Sequence, residues 1–363
     1  MWIAVGVLVL ATLAVLGMSF LGYVVGENST PIMWPAITVL AGISLAVICA
    51  IMLLADRWDP QPKGLLAVAV LWGASIAVFL SMLCHELVEI VVYALTGNEA
   101  AARFATLVGS APIAEETTKA LTLVLLLFLA RRYFNGPLDG AIYGMLSGGG
   151  FAFSENILYY GRSFDENGLT DLGMTVFIRG VVGIFGHGIY TGLTGIVMGF
   201  VVRKWGTIPG LLSFIVAVIP GMFLHALWNF STTLPLGKPG FIGLLAGEVL
   251  LSFVFLCLLG FLVWDEARLT RVRLGDYANL GWLTHEEVTM LATWKGRREG
   301  KRWAASMNAK PVMKRFIREA ADLASIRQRL LADGQDPKAV TAEAALLQRL
   351  TANRQALLQY SGG

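Results

Sequence analysis

The chain is 363 residues long, 56% of them hydrophobic and only 15% charged, where an ordinary soluble domain has about 25%. With a mean hydropathy of +0.66, this excludes a soluble globular protein and defines a polytopic membrane one. The small net charge of +3 hides an asymmetry, because residues 264–363 hold 17 of the 28 Lys and Arg and 11 of the 25 Asp and Glu. The simplest partition is a membrane domain over residues 1–264 and a soluble, basic tail over 265–363.

About 20 apolar residues cross a bilayer core, and in chain order eight segments qualify: roughly 2–25, 33–55, 64–95, 105–130, 138–160, 174–202, 208–232 and 241–264. The expected fold is therefore all-α, a bundle of about eight transmembrane helices with a helical tail. The first segment lacks a basic flank and is too long for a signal-peptide core, so it reads as a retained helix. The third is over-long and expected to be tilted or broken. Pro112 and Pro220 are expected to bend their helices. Gly140, Gly144 and Gly148, and Gly188, Gly192, Gly195 and Gly199, recur at spacings that let helix backbones approach closely. Cys49, Cys84 and Cys257 each lie in apolar stretches with no metal spacing and read as packing residues.

Alternate loops carry Arg57 and Lys63, then Arg131 and Arg132, then Arg203 and Lys204, then the tail. The positive-inside rule places that side, with both termini, in the cytoplasm. In the tail, Thr284 and Glu287 fit a capping box, and residues 312–331 and 338–360 have helical periodicity around a turn at Asp336-Pro337. That hairpin can pack on itself, on the membrane domain or on a partner. Its basic surplus suits a solvated surface or one near anionic lipid.

Four consecutive segments carry polar groups that lipid should exclude. "SAPIAEETTKALTL" (110–123) contains Glu115, Glu116 and Lys119, and an ionised residue at a helix centre costs about 2.5–3.5 kcal/mol on insertion scales. Lys119 is four residues from Glu115 and three from Glu116, so it can reach either acid. Adjacent residues point about 100° apart, so one acid can face a site while its neighbour is held elsewhere. "GGGFAFSENILYY" brings Glu155 and Asn156, with Phe151 one turn before Glu155. The sixth segment brings His187, two turns after Arg179, and the seventh brings His225 and Asn229, four apart on one face.

At 1.5 Å per residue, Glu115, Glu155, His187 and His225 lie roughly 8–20 Å below the outer surface. One outward-opening polar cavity explains this common depth. Glu and His hold Zn²⁺ and activate water, or act without metal as general base and oxyanion donors. No HExxH is present, since "HELVE" at 85–89 lacks the second His, and there is no GxSxG elbow. Ser147 in "SGGG" reads as helix packing. His85, Glu86 and Glu89 either border the cavity or mark an interfacial helix end. A transporter using the buried Glu and His as a proton or cation site is the rival reading, but no inverted repeat accompanies them.

The ordered set "EETTK" (115–119), "DGAIYGMLSGGGFAFSEN" (139–156), His187 and "HALWN" (225–229) resembles the PrsW family of intramembrane proteases. That family is related to the CAAX prenyl proteases and the bacteriocin-immunity-type membrane proteases. Those relatives share a paired-Glu helix, an FxxxH helix and an HxxxN helix, and here Phe151-x-x-x-Glu155 replaces the second. The resemblance implies a hydrolase of the bacterial cell membrane performing regulated, site-1 type cleavage near the outer side of the membrane. Its implied substrate is a single-span, anti-sigma-factor-like membrane protein, and no nucleic-acid partner is expected. On this reading Glu115 is the general base and Glu116 with Lys119 orients it. His187 and His225 bind metal or stabilise the oxyanion, and Asn229 adds an amide donor. Glu155 is a metal ligand with the two His or stands behind them; Phe151, Asn156 and Arg179 support the site. The cofactor is Zn²⁺, or the mechanism is a metal-free glutamate one.

Overall fold

The computed structural model describes residues 2–25, 31–235, 237–334 and 336–361; residues 1, 362 and 363, at the ends of the two expected domains, lie outside them. All regular structure among the described residues is helical. The membrane part is eight rods: α1 (Trp2–Val25), α2 (Trp34–Ala55), α3 (Lys63–Thr96), α4 (99–129), α5 (Pro137–Asn167), α6 (Leu169–Trp205), α7 (Thr207–Thr232) and α8 (Lys238–Asn279). They match the eight apolar segments one for one. Five of them, α2, α3, α6, α7 and α8, are individually long and apolar enough to cross a membrane. α4 carries the Glu115, Glu116 and Lys119 charges and α5 is rich in glycine and polar residues, which lowers the mean hydropathy of both.

Three rods are widened by π-helical turns, at Gly73–Ala77 in α3, Ala105–Ser110 in α4 and Val176–Val182 in α6. Such turns insert an extra residue and rotate the remainder of the helix about its axis. The over-long third segment is thus neither broken nor a plain helix: it is one rod with a wide turn. In α6 the π turn is succeeded by a further turn before the helix resumes at Gly186. Arg179 and His187 are therefore not two regular turns apart, as their spacing suggests. Pro112 opens the regular part of α4 after its π turn, and Pro220 opens the last stretch of α7, so both stand where a missing N–H costs least.

α5 and α6 make the closest helix contact. A Cβ on Gly144 would stand 2.5 Å from the Thr191 carbonyl oxygen and 2.8 Å from Gly192 Cα. One on Gly140 would strike the backbone of Gly195, and one on Gly148 that of His187. The glycine ladders seen in sequence do pack against each other, and they fix how far α5 stands from His187.

α8 runs past residue 264 without interruption to Asn279 and delivers the chain to α9 (His285–Leu291), α10 (Trp294–Ser306), α11 (Lys310–Asp333) and α12 (Pro337–Ser361). The capping box forms: Thr284 Oγ1 accepts from the Glu287 N–H and Glu287 Oε2 from the Thr284 N–H. The α11–α12 hairpin packs on itself and on α8 around Leu274, Phe316, Leu323, Leu346 and Leu350. It also docks on the membrane part. Arg131 pairs with Asp333 at 2.8 Å, Gln328 donates to the Arg203 carbonyl at 2.7 Å, and Arg297 donates to the Trp58 carbonyl at 2.6 Å. The basic loops after α2, α4 and α6 therefore gather at the tail's end of the bundle.

Candidate functional site

At the other end of the bundle a cavity of about 360 Å³ is lined by His85, Glu89, Arg103, Glu115, Phe151, Glu155, Asn156, Arg179, His187, Tyr190, His225, Asn229 and Glu248, among others. Exposed Glu89, Arg103 and Arg162 form its mouth. The polar residues of α4, α5, α6 and α7 thus share one chamber on the side away from the tail.

The two neighbouring acids of α4 have opposite situations. Glu116 is fully buried and saturated: Oε1 accepts from Lys119 Nζ at 2.5 Å and from His225 Nδ1 at 2.9 Å, and Oε2 from Thr191 Oγ1 at 3.0 Å. Glu115 is 3% exposed, yet its Oε2 has no hydrogen-bond partner. Around that oxygen stand Lys119 Nζ at 3.8 Å, His225 Nε2 at 3.8 Å and His187 Nδ1 at 4.0 Å, while His85 Nε2 lies 3.5 Å from Oε1. Lys119 also reaches His187 Nδ1 at 3.0 Å and lies over the Phe151 ring at 4.4 Å.

Each imidazole is held from behind by a carboxylate. His225 gives Nδ1 to Glu116, and His187 has Nε2 2.9 Å from Glu155 Oε2. The nitrogens left over, His225 Nε2 and His187 Nδ1, turn towards Glu115, and donation at one ring nitrogen leaves the other as an acceptor. Glu155 also pairs with Arg179, whose Nε donates to Asn156 Oδ1 at 2.8 Å, so both α6 residues converge on α5 despite the irregular turn between them. The Phe151 ring lies tilted against His187 with centroids 5.5 Å apart. Asn229 donates to the Leu107 carbonyl at 2.8 Å, tying α7 to the π turn of α4. Ser147 is fully buried and donates to the Lys119 carbonyl at 2.9 Å, a helix-packing contact.

Among the described residues, the group able to hold a metal ion is Glu115, His187 and His225, with one ligand atom from each, all within 4.8 Å of one another. The sequence reading has Glu155 either in that set or standing behind the two His. In the structure Glu155 stands behind His187 and Glu115 stands with the two imidazoles.

Tyr190 and Glu248 are wall residues that the sequence does not single out, and His85 belongs to the group expected either to border the cavity or to mark a helix end. His85 has its Nε2 buried without a hydrogen bond, and with Glu89 it lines the cavity, whereas Glu86 does not. Tyr190 stacks on His225 with centroids 5.3 Å apart and donates from Oη to Glu248 Oε1 at 3.3 Å. Glu248, whose Oε2 has no partner, is legible as the single acid inside the apolar run of α8.

A helical bundle whose buried Glu and His share one chamber fits a membrane-embedded hydrolase. The chain belongs to the PrsW family: the family model described as PrsW family intramembrane metalloprotease matches residues 61–261, from the loop before α3 into α8. It is therefore an intramembrane protease, and a multi-pass one. No curated protein and no solved structure matches the chain.

Proposed function

We propose that the cavity hydrolyses a peptide bond of a single-span membrane protein and that Glu115 is the general base. The observation carrying this is Glu115 Oε2, buried in the cavity wall with no hydrogen bond and ringed by two imidazole nitrogens. A water beside that oxygen gives its proton to the carboxylate as its oxygen attacks the peptide carbonyl carbon. Asn229 spends one N–H on Leu107 and retains a second for the developing oxyanion. The proton on Glu115 then passes to the departing nitrogen as the C–N bond breaks. Glu116 and Glu155 fix the two imidazoles, and Lys119 balances the paired acids.

The residues fit a divalent cation such as Zn²⁺: an orphaned carboxylate oxygen faces two imidazole nitrogens whose opposite nitrogens are each held by a carboxylate, as metal-binding imidazoles usually are. Glu115, His187 and His225 would hold it, with Glu115 then a ligand in place of the base, and Lys119 would have to withdraw from His187 Nδ1. Such an ion, when bound, supplies polarisation of the carbonyl and acidification of water.

The basic loops on the tail side support a cytoplasmic tail in a bacterial cell membrane. The cavity mouth then faces outward, and the cut is of the site-1 type on an anti-sigma-factor-like substrate. The test is cleavage of a candidate single-span protein in proteoliposomes, with the cut mapped by mass spectrometry. Wild type should cut near the outer boundary and Glu115→Gln should not. Equal cutting by both would overturn the assignment. Elemental analysis of wild type against the His187→Ala, His225→Ala double variant decides the ligand set, because undiminished metal in the variant excludes it.

A further inference from the structure

The tail meets the membrane part at a defined level. Trp58 lies just past the end of α2 at Ala55. The Trp294 ring of α10 meets it edge-on at 4.8 Å, and the Arg297 guanidinium lies 3.5 Å from its ring centroid. Because α2 is long and apolar enough to cross a membrane, its end and the start of α10 fall at the level expected for the bilayer surface.

Helical geometry then says which flank of α10 faces the membrane. Trp294 and Arg297 bracket the flank that meets Trp58, and one turn further along it come Arg298 and Lys301. The single acid of α10, Glu299, is turned about 140° away from Trp294. α11 shows the same orientation: Ser325 donates to Asp59 Oδ2 at 3.0 Å, and Lys314, three turns earlier, shares its face, with Lys310 one turn beyond. Arg298, Lys310 and Lys314 are exposed, and Trp294 is 47% exposed. Burial, with Arg297, Lys314 and Lys310 close by, pushes Lys301 below the usual lysine range, a sign of crowded cations.

The tail's ion pairs do not use these four cations. Among the described residues the acids in its ion pairs are matched to other cations, such as Asp276 and Glu343 with Arg327, Glu319 with Arg349, and Glu287 with Arg354. An unneutralised basic face with a tryptophan at its edge, held at bilayer level, complements anionic headgroups.

We propose that α10 and the first turns of α11 form a docking surface for anionic phospholipid headgroups of the leaflet on the tail side of the membrane. The surface lies outside the family-matched residues 61–261 and does not depend on the proteolytic reading. The test is hydrogen exchange on the full chain in nanodiscs of phosphatidylcholine alone or with about one third phosphatidylglycerol. Anionic lipid should slow amide exchange over residues 294–318 by about threefold or more and leave 338–360 unchanged. High salt should abolish the difference. In the combined Arg298→Gln, Lys301→Gln, Lys310→Gln, Lys314→Gln variant the lipid effect should vanish while exchange over 338–360 reports an intact hairpin. Equal exchange of the wild type in the two lipids overturns the proposal without recourse to the variant. So does a lipid effect that survives high salt.

Discussion

Neighbouring glutamates of identical chemistry should respond oppositely to the same change. Glu116→Gln removes the charge that accepts from Lys119 at 2.5 Å and His225 at 2.9 Å. Breaking a buried ion pair from one side costs about 3–5 kcal/mol. Glu115 remains 3.8 Å from Lys119 and offsets part of that, so a loss of about 3 kcal/mol is expected, or a drop in thermal midpoint of about 4 °C. Glu115→Gln removes a carboxylate whose Oε2 accepts no hydrogen bond, so stability should change by less than about 1 kcal/mol. Thermal unfolding of both variants in one detergent, beside cleavage of one substrate, reads both quantities. Glu115→Gln should be stable and inactive, Glu116→Gln unstable. Equal destabilisation of the two would refute the division of labour drawn from their contacts.

Gly144→Ala should cost about 1–3 kcal/mol, because its Cβ would lie 2.5 Å from the Thr191 carbonyl oxygen; activity should fall as α5 and α6 separate, measured on protein still folded by circular dichroism. Arg297→Ala removes donors to the carbonyls of Leu291 and Trp58 and should loosen the tail by about 2–3 kcal/mol, seen as faster proteolytic nicking after α8 with the membrane part intact. Burial and then Asp59 push Asp322 of α11 up to about 6, against the pull of Arg318. A carboxyl raised on folding favours the protonated fold, so its contribution is present at acidic pH and lost as pH rises through about 6. Asp322→Asn should therefore match wild type near pH 4 and exceed it by about 1–2 kcal/mol at pH 7, allowing for partial exposure, in pH-dependent unfolding of the tail.

Hydropathy finds most of the rods, five of them long and apolar enough to cross a membrane on their own, and intramembrane charge finds most of the chamber because an ion there needs a reason. The features that hydropathy misses have physical causes. The α8 helix continues from 264 to Asn279 because a helix in water needs only its hydrogen bonds and a packed face, and Leu274 and Tyr277 supply that face. A π turn leaves no mark on composition, so the register between Arg179 and His187 cannot be counted from residue numbers. Glu155 and Glu115 are equally plausible metal ligands on residue type alone. The choice depends on which carboxylate Arg179 occupies, a contact between α5 and α6 that no local pattern encodes.

α8 is also a connecting element. Glu248 in the cavity wall and Tyr277 in the tail core lie on one unbroken helix, about 44 Å apart along its axis. One helix therefore joins the tail core to the acid that holds Tyr190, and Tyr190 leans on His225.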